Sequence, residues 1–256
     1  MKPDLFSIGP LTIHGYGLMI GIGIIAAYFT GEYRAKKAGL DSEQIFGLTI
    51  WSVIAGMAGA KLLYYLTEIK DIIADPSLLL DVGGGFVVYG GIIAGILAAV
   101  IYCRAKKLEF LKYLDICIPS VALAQGFGRV GCFMAGCCYG RETGSPLGVV
   151  FEGSPFAPNG VNLIPTQTIS SALDFLNFIA LIIFAAKFKK ADGQVVGLYL
   201  TFYSIGRFIL EFFRGDIERG SVGILSTSQF ISIFTCIAGI AILVVAGMRA
   251  NKKKQQ

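Results

Sequence analysis

The sequence predicts an all-α integral membrane protein of about seven transmembrane helices, N-terminus outside and C-terminus cytoplasmic, with an extracytoplasmic loop or arm. Three observations carry this. Hydrophobic residues make up 55% of the 256 positions, mean hydropathy is +0.69 and charged residues are only 15%, a balance unsuited to a soluble chain. Several apolar stretches approach the roughly 20 residues that a helix needs to cross a bilayer core. The segments between them alternate sharply in basic charge.

The spans read as 14–31, 45–66, 85–102, 112–131, 168–187, 195–212 and 227–248. The opening MKPDLFSIGPLTIHG lacks the basic leader and short apolar core of a cleavable signal, so the first span is expected to be retained. The basic clusters RAKK (34–37), CRAKK with Lys112, KFKK (187–190) and the RANKKK tail fall on one side of this arrangement. That side carries 14 of the 22 Lys and Arg and the other carries 5, while Lys61, Arg129 and Arg207 lie within spans. The positive-inside rule assigns the richer side to the cytoplasm. The net charge of +5 arises at flanks facing anionic lipid and calls for no nucleic acid.

No separate soluble domain fits, so 1–256 reads as a single polytopic membrane domain with 132–167 as its extracytoplasmic loop. That loop is rich in Gly, Pro and Ser, yet Val149, Val150, Phe151, Phe156 and Leu163 are spread through it, which predicts an ordered loop or short arm. The outer segment 67–84 sets Glu68, Asp71, Asp75 and Asp81 around an apolar SLLL and suits an interfacial stretch. No repeat of fixed period is evident.

Gly15, Gly17, Gly21 and Gly23, then Gly56 and Gly59, then Gly90, Gly91 and Gly95 are expected to bring helices close together. In GGGFVVYGG (83–91), five glycines surround Tyr89, a pattern that also suits close approach of backbone to a lipid headgroup. Gly126, Gly128 and Gly131 spell GxGxxG, but no strand precedes them and the segment lies at membrane depth, which excludes a dinucleotide fold.

The chemistry concentrates in QGFGRVGCFMAGCCYG (125–140) and in the sixth span. An arginine inside a bilayer costs at least about 2.5 kcal/mol on insertion scales, and its planar fork of donors suits phosphate oxygens. Arg129 and Arg207 therefore point to an anion such as a phosphodiester headgroup. Tyr203, Arg207, Glu211 and Arg214 follow at i, i+4, i+8 and i+11, which predicts one helix face with Glu211 orienting a guanidinium. The plainer reading is an Arg207–Glu211 pair with Arg214 snorkelling to the surface, and Lys61 reads the same way.

GRVGCFMAGCCYGR, GRFILEFFRGD (206–216), IHGYGLMIGIG (13–23) and YGGIIAG (89–95) together resemble the bacterial prolipoprotein diacylglyceryl transferases over essentially the full length. The resemblance implies an enzyme that moves the diacylglyceryl group of phosphatidylglycerol to the lipobox cysteine of a prolipoprotein, forming a thioether and releasing glycerol phosphate. It implies a bacterial cell membrane location and no cofactor. Arg129 and Arg207 match the family's two essential arginines, implying phosphate binding and stabilisation of the leaving group by preorganised donors. Glu211 and Arg214 match its EFxR element, Tyr16 its YGL tyrosine and Gly140 the glycine closing its signature. Tyr16 and Tyr89 are expected on the acceptor side, with Gly90, Gly91, Cys132, Gly140, Glu211 and Arg214 as substrate-binding residues.

The departures matter equally. Tyr89 stands where the family's HGG motif has histidine, and a phenol with a pKa near 10 is a poor base at neutral pH. Cys132 and Cys137 replace an asparagine and a glutamate, and IPTQTIS (164–170) lacks the tyrosine and glutamate that often follow PTQ. His14, the only histidine, has the pKa range for proton transfer, with an interfacial hydrogen bond as the alternative. Cys132, Cys137 and Cys138 leave a disulfide, a reactive thiolate or packing open, whereas C-x4-C-C is not a standard zinc spacing and no metal is expected. Cys103, Cys117 and Cys236 read as apolar fillers. A phospholipid-group transferase with another acceptor, a membrane thiol oxidoreductase and a lipid transporter are the competing readings.

Overall fold

A computed structural model of the chain describes residues 4–8, 11–80, 84–216 and 220–252. Lys2, Asp81, Gly83, Arg219 and the lysines after 252, which entered the reading of charge and of the glycine cluster, lie outside the described residues. The chain divides into two compact units, residues 1–31 with 114–256, and residues 32–113.

The first unit opens with an antiparallel pair, β1 (Asp4–Ile8) and β2 (Leu11–His14), which leads directly into α1 (Gly15–Lys37). All but the first turn of α5 (Phe110–Ala135), with β3 (Val149–Val150), β4 (Asn162–Leu163), α6 (Thr166–Lys187), α7 (Gln194–Glu211), β5 (Ser221–Val222), β6 (Leu225–Ser226) and α8 (Thr227–Lys252), completes it. The second unit holds α2 (Glu43–Thr67), α3 (Ile69–Ala74), a 3-10 turn at Pro76–Leu80 and α4 (Val88–Ala105), with the end of α1 and the start of α5.

Seven described helices of 18 residues or more coincide with the seven expected spans. Five of them, α2, α4, α5, α6 and α8, are long and apolar enough to cross a membrane. Glycines and the charged end of α1, and Arg207 with Glu211 in the 18-residue α7, dilute the apolar character of the other two. Ile25, Phe29, Trp51, Met57 and Val244 are each more than half exposed, an inside-out pattern that water would not tolerate over so many helices. The protein is an all-α membrane protein whose apolar side chains face outward.

Packing in the first unit follows small residues. A Cβ on Gly23 of α1 would lie 3.1 Å from the Ala124 carbonyl oxygen and from Phe127 Cβ in α5, so helix backbones meet where no side chain intervenes. On α7 and α8 the same role falls to Gly197 and Gly239, which face each other across the contact. Between α5, α6 and α7 a core of Ile118, Ala122, Leu181, Val195, Val196 and Tyr199 is closed by the Tyr199 hydroxyl, which donates to Gln125 Oε1 at 2.7 Å. The α5 residue Asp115, 1% exposed, accepts from the Gly193 and Val196 amides at 2.8 and 3.0 Å and pairs with Lys189 Nζ at 2.9 Å. It thus satisfies the orphan donors at the start of α7 from another helix.

The long loop is ordered, as its scattered apolar residues predict. Phe151, Ala157 and Leu163 form a second small core with Phe133 and Tyr139 against it, and β3 pairs with β4. Asn162 Nδ2 donates to the Thr143 and Ser145 carbonyls at 3.0 and 2.9 Å, and this pins the turn. Phe156, expected to help order the loop, is 62% exposed instead.

In the second unit, α2 and α4 approach through Gly59 and Gly90: a Cβ on Gly90 would sit 2.3 Å from the Gly59 carbonyl oxygen. Gly91 lies similarly against Gly56 at 3.0 Å. Lys61 Nζ donates to the Gly84 carbonyl at 2.6 Å and lies 5.1 to 5.3 Å from the ring centres of Tyr64, Tyr65 and Phe86. A cation over three aromatic rings is anchored rather than snorkelling.

Candidate active site

The first unit gathers the ionisable residues that a bilayer span ordinarily excludes. Arg129 lies on α5 below its glycine-rich last turns and, among the described residues, makes no hydrogen bond or ion pair. Its electrostatic neighbours are Tyr203, Cys132, Cys138 and Asp174. A permanent cation at this depth without a committed partner retains its full donor fork for a ligand.

Arg207 on α7 is more tightly held. One amine, Nη2, donates to Ser228 Oγ of α8 at 2.8 Å and stands 2.8 Å from Glu211 Oε2, the latter out of line for a hydrogen bond. The other, Nη1, is buried and has no hydrogen-bond partner. Glu211 and Ser228 therefore fix the orientation of the fork and leave one face of it unspent.

Asp174 of α6, 5% exposed, is the electrostatic neighbour of both arginines, and its Oδ2 lacks a hydrogen-bond partner. It is a candidate site residue that the sequence analysis does not name, although the rule that singles out the two arginines applies equally to an aspartate inside the span 168–187. Between α6 and α7 lies a cavity of about 240 Å³ with Asp174, Asn177, Tyr203 and Arg207 at its polar part and Leu173 and Phe202 among its apolar walls. Buried polar atoms without partners, here Asp174 Oδ2, Asn177 Oδ1 and Arg207 Nη1, mark a place where a polar ligand is energetically welcome.

The cysteine turn follows α5. Gly136 and Cys138 both take positive φ, 75° and 62°, so the chain reverses sharply after Ala135. The PTQ segment holds this reversal: Thr166 Oγ1 donates to the Cys138 carbonyl and Gln167 Nε2 to the Cys137 carbonyl, each at 2.9 Å. The sulfurs of Cys132, Cys137 and Cys138 consequently lie within 4.8 Å of one another, and no disulfide joins them. Hydrogen bonds from the Cys132 and Cys137 thiols, with the Arg214 guanidinium beside it, hold the Cys138 thiol below its ordinary range. Hydrogen bonding to Cys132 and Cys138, with burial, pushes the Cys137 thiol up. Tyr16, in the first turn of α1, has all three cysteines and Arg129 as electrostatic neighbours.

Arg214 requires a correction. Helix α7 ends at Glu211, so Arg214 does not continue the face of Tyr203, Arg207 and Glu211, nor does it snorkel. It is 7% exposed and its Nε and Nη2 donate to Asp216 Oδ1 and Oδ2 at 2.8 and 2.6 Å. A bridge pairs its backbone with Gly140, where a Cβ would meet the Ile164 carbonyl oxygen at 2.4 Å. Gly140 serves the close packing of three loop segments, and Arg214 ties them to Asp216.

The remaining expected residues are placed differently. Tyr89, 39% exposed, lies in the first turn of α4 in the second unit with Gly90 and Gly91, whose missing side chains are taken up by packing against α2. His14 is exposed at the end of β2.

Fold and site together define a polytopic helical membrane protein with a cationic, partly polar site inside its helical bundle. A family model described as Prolipoprotein diacylglyceryl transferase matches residues 3–245. The phosphatidylglycerol–prolipoprotein diacylglyceryl transferase of Clostridium tetani is 52% identical over 240 residues, 94% of this chain and 96% of that protein. Transferase 2 of Clostridium perfringens is 45% identical over 99% of this chain and 98% of its own length, and the Staphylococcus aureus protein of the same name is 31% identical over 98% and 91%. The chain belongs to the prolipoprotein diacylglyceryl transferase family.

Proposed function

We propose that the protein transfers the diacylglyceryl group of phosphatidylglycerol to the lipobox cysteine thiol of a prolipoprotein, in the bacterial cytoplasmic membrane. Relatives at 52% and 45% identity that are named phosphatidylglycerol–prolipoprotein diacylglyceryl transferases support the reaction. The observation in this molecule that carries it is Arg129, a guanidinium with no hydrogen bond or ion pair among the described residues, near an Arg207 whose Nη1 is also unspent. In the reaction a sulfur–carbon bond forms to the glyceryl carbon and the bond from that carbon to the phosphate oxygen breaks. The electron pair stays on the phosphate, and the thiol proton ends on the released glycerol phosphate. Charge therefore grows on the phosphate oxygens, where fixed guanidiniums stabilise the transition state more than the ground state.

Within this reading Arg129 and Arg207 hold the phosphate, Glu211 and Ser228 orient Arg207, Asp174 limits the excess positive charge, and Tyr16 lines the acceptor side. The cavity between α6 and α7, polar at one part and apolar at another, suits an amphipathic donor. In this reading the precursor enters laterally from the outer leaflet of the bilayer.

The test is incubation of the purified protein in detergent with phosphatidylglycerol and a labelled lipobox peptide, scoring lipidated peptide and glycerol phosphate. Both products are expected, and both are lost in Arg129→Ala. Tyr89 in place of the motif histidine favours a second reading, a phospholipid-group transferase with a different acceptor. Glycerol phosphate without lipidated peptide would select it.

A further inference from the structure

We infer that Cys132, Cys137 and Cys138 form a three-thiolate site for a soft d10 metal ion such as Zn2+ or Cu+. The linear spacing C-x4-C-C argues against such a site, and the backbone explains why the spacing misleads. Cys132 comes from the last turns of α5, whereas Cys137 and Cys138 come from the reversal after it. The positive φ of Gly136 and Cys138 folds the second pair back toward the first, and the Cys137 amide donates to the Cys132 carbonyl at 3.1 Å. The result is three sulfurs within 4.8 Å of one another. Metal–sulfur bonds of about 2.3 Å place the sulfurs of a shared ion roughly 4 Å apart, so small side-chain rotations close the site.

The turn is held independently of any ion. Thr166 Oγ1 and Gln167 Nε2 grip the Cys138 and Cys137 carbonyls at 2.9 Å, and both donor residues are 1% exposed. A non-glycine residue at φ 62° persists only where its surroundings impose it, which fits a preorganised ligand position.

The donor set selects the ion. Three sulfurs without a carboxylate reject the hard cations Mg2+ and Ca2+ and favour thiophilic ions. Three thiolates around a divalent ion leave one net negative charge, and around a monovalent ion two. Arg129 and Arg214 both interact electrostatically with Cys138 and supply the opposing charge without being able to compete as ligands. If the transferase reading holds, the same charge has a consequence: an ion-filled site presents negative charge to Arg129 and weakens its hold on the phospholipid phosphate. Metal binding itself does not depend on that reading.

The experiment uses the full chain, purified in detergent under reductant that is then removed, with Cd2+ as the probe. One Cd2+ per chain is expected, with a sulfur-to-cadmium charge-transfer band in the ultraviolet. In the wild-type protein, peptide-resolved thiol alkylation should lose Cys132, Cys137 and Cys138 together on adding one equivalent, a readout that needs no folded variant. The band should vanish in Cys137→Ser and persist in Cys236→Ser. Unchanged alkylation of the three cysteines with Cd2+, or a band that survives Cys137→Ser, would overturn the site. A filled site that leaves the apparent KM for phosphatidylglycerol unchanged would overturn only its coupling to Arg129, whereas absence of any transfer in metal-free protein would count against the transferase reading alone.

Discussion

Arg129 and Arg207 share a charge but not a setting. Arg207 is committed on one amine to Ser228 and Glu211, while Arg129 has no such commitment among the described residues. The two should therefore respond differently to substitution. Arg207→Lys keeps the charge but loses the planar fork and the geometry set by Ser228, and turnover is expected to fall about 100- to 1000-fold, the usual cost of one preorganised donor. Steady-state transfer from phosphatidylglycerol to a lipobox peptide measures this, with the thermal midpoint as a control for folding. Both arginines are legible in the sequence as candidate site residues because ionisable groups inside an apolar span need a reason. Asp174 satisfies the same criterion, but no charged residue stands three or four positions from it in the sequence to mark a helix face, as Glu211 does for Arg207. The cysteines show the opposite limit: their proximity depends on two positive-φ residues and on Thr166 and Gln167, none of which a spacing rule contains.

Helix α7 shows what elements contribute. Its N-terminal amides at Gly193 and Val196 are satisfied by Asp115, which belongs to α5 and lies 78 residues earlier than Gly193. Asp115→Ala would leave those donors and Lys189 without the buried carboxylate, and a loss of about 3 kcal/mol is expected from breaking a buried pair. Thermal unfolding in detergent, followed by exposure of buried cysteines, measures the loss, and a shift no larger than that of an exposed control such as Lys36→Ala would refute the capping role. At the other end, α7 stops at Glu211, and the stop takes Arg214 off the helical face that its spacing suggests. Helical periodicity predicts which residues share a face only as far as the helix continues. In the second unit, Gly59 and Gly90 were legible as packing residues, since backbone contact between apolar helices needs small residues wherever they occur.

At the scale of the whole molecule, the seven long described helices overlap the seven apolar stretches, differing by up to six residues at an end, and three basic clusters fall between alternate pairs of them while the fourth lies at the end of α8. The expected orientation can be tested directly. In a variant lacking the exposed-loop thiols, a cysteine introduced at Ser145 should react with a membrane-impermeant maleimide in intact cells, whereas one introduced at Asn251 should react only after lysis. The reverse result would invert the topology and put the arginine site on the wrong side for a precursor entering from the outer leaflet.

The sequence by itself determined the membrane character, the long helices and the family, because each rests on information carried along the chain: hydropathy sums over a window, and motifs in register. It also identified Arg129 and Arg207, since burial of a fixed charge is costly in any arrangement. Only the tertiary structure decided that Asp174 neighbours the two arginines, that Arg214 pairs with Asp216 beside Cys138, that Gly140 packs against Ile164 and that three cysteine sulfurs converge. Those outcomes depend on where helices end and how backbones turn, and short-range contacts between distant segments leave no periodic mark in the sequence.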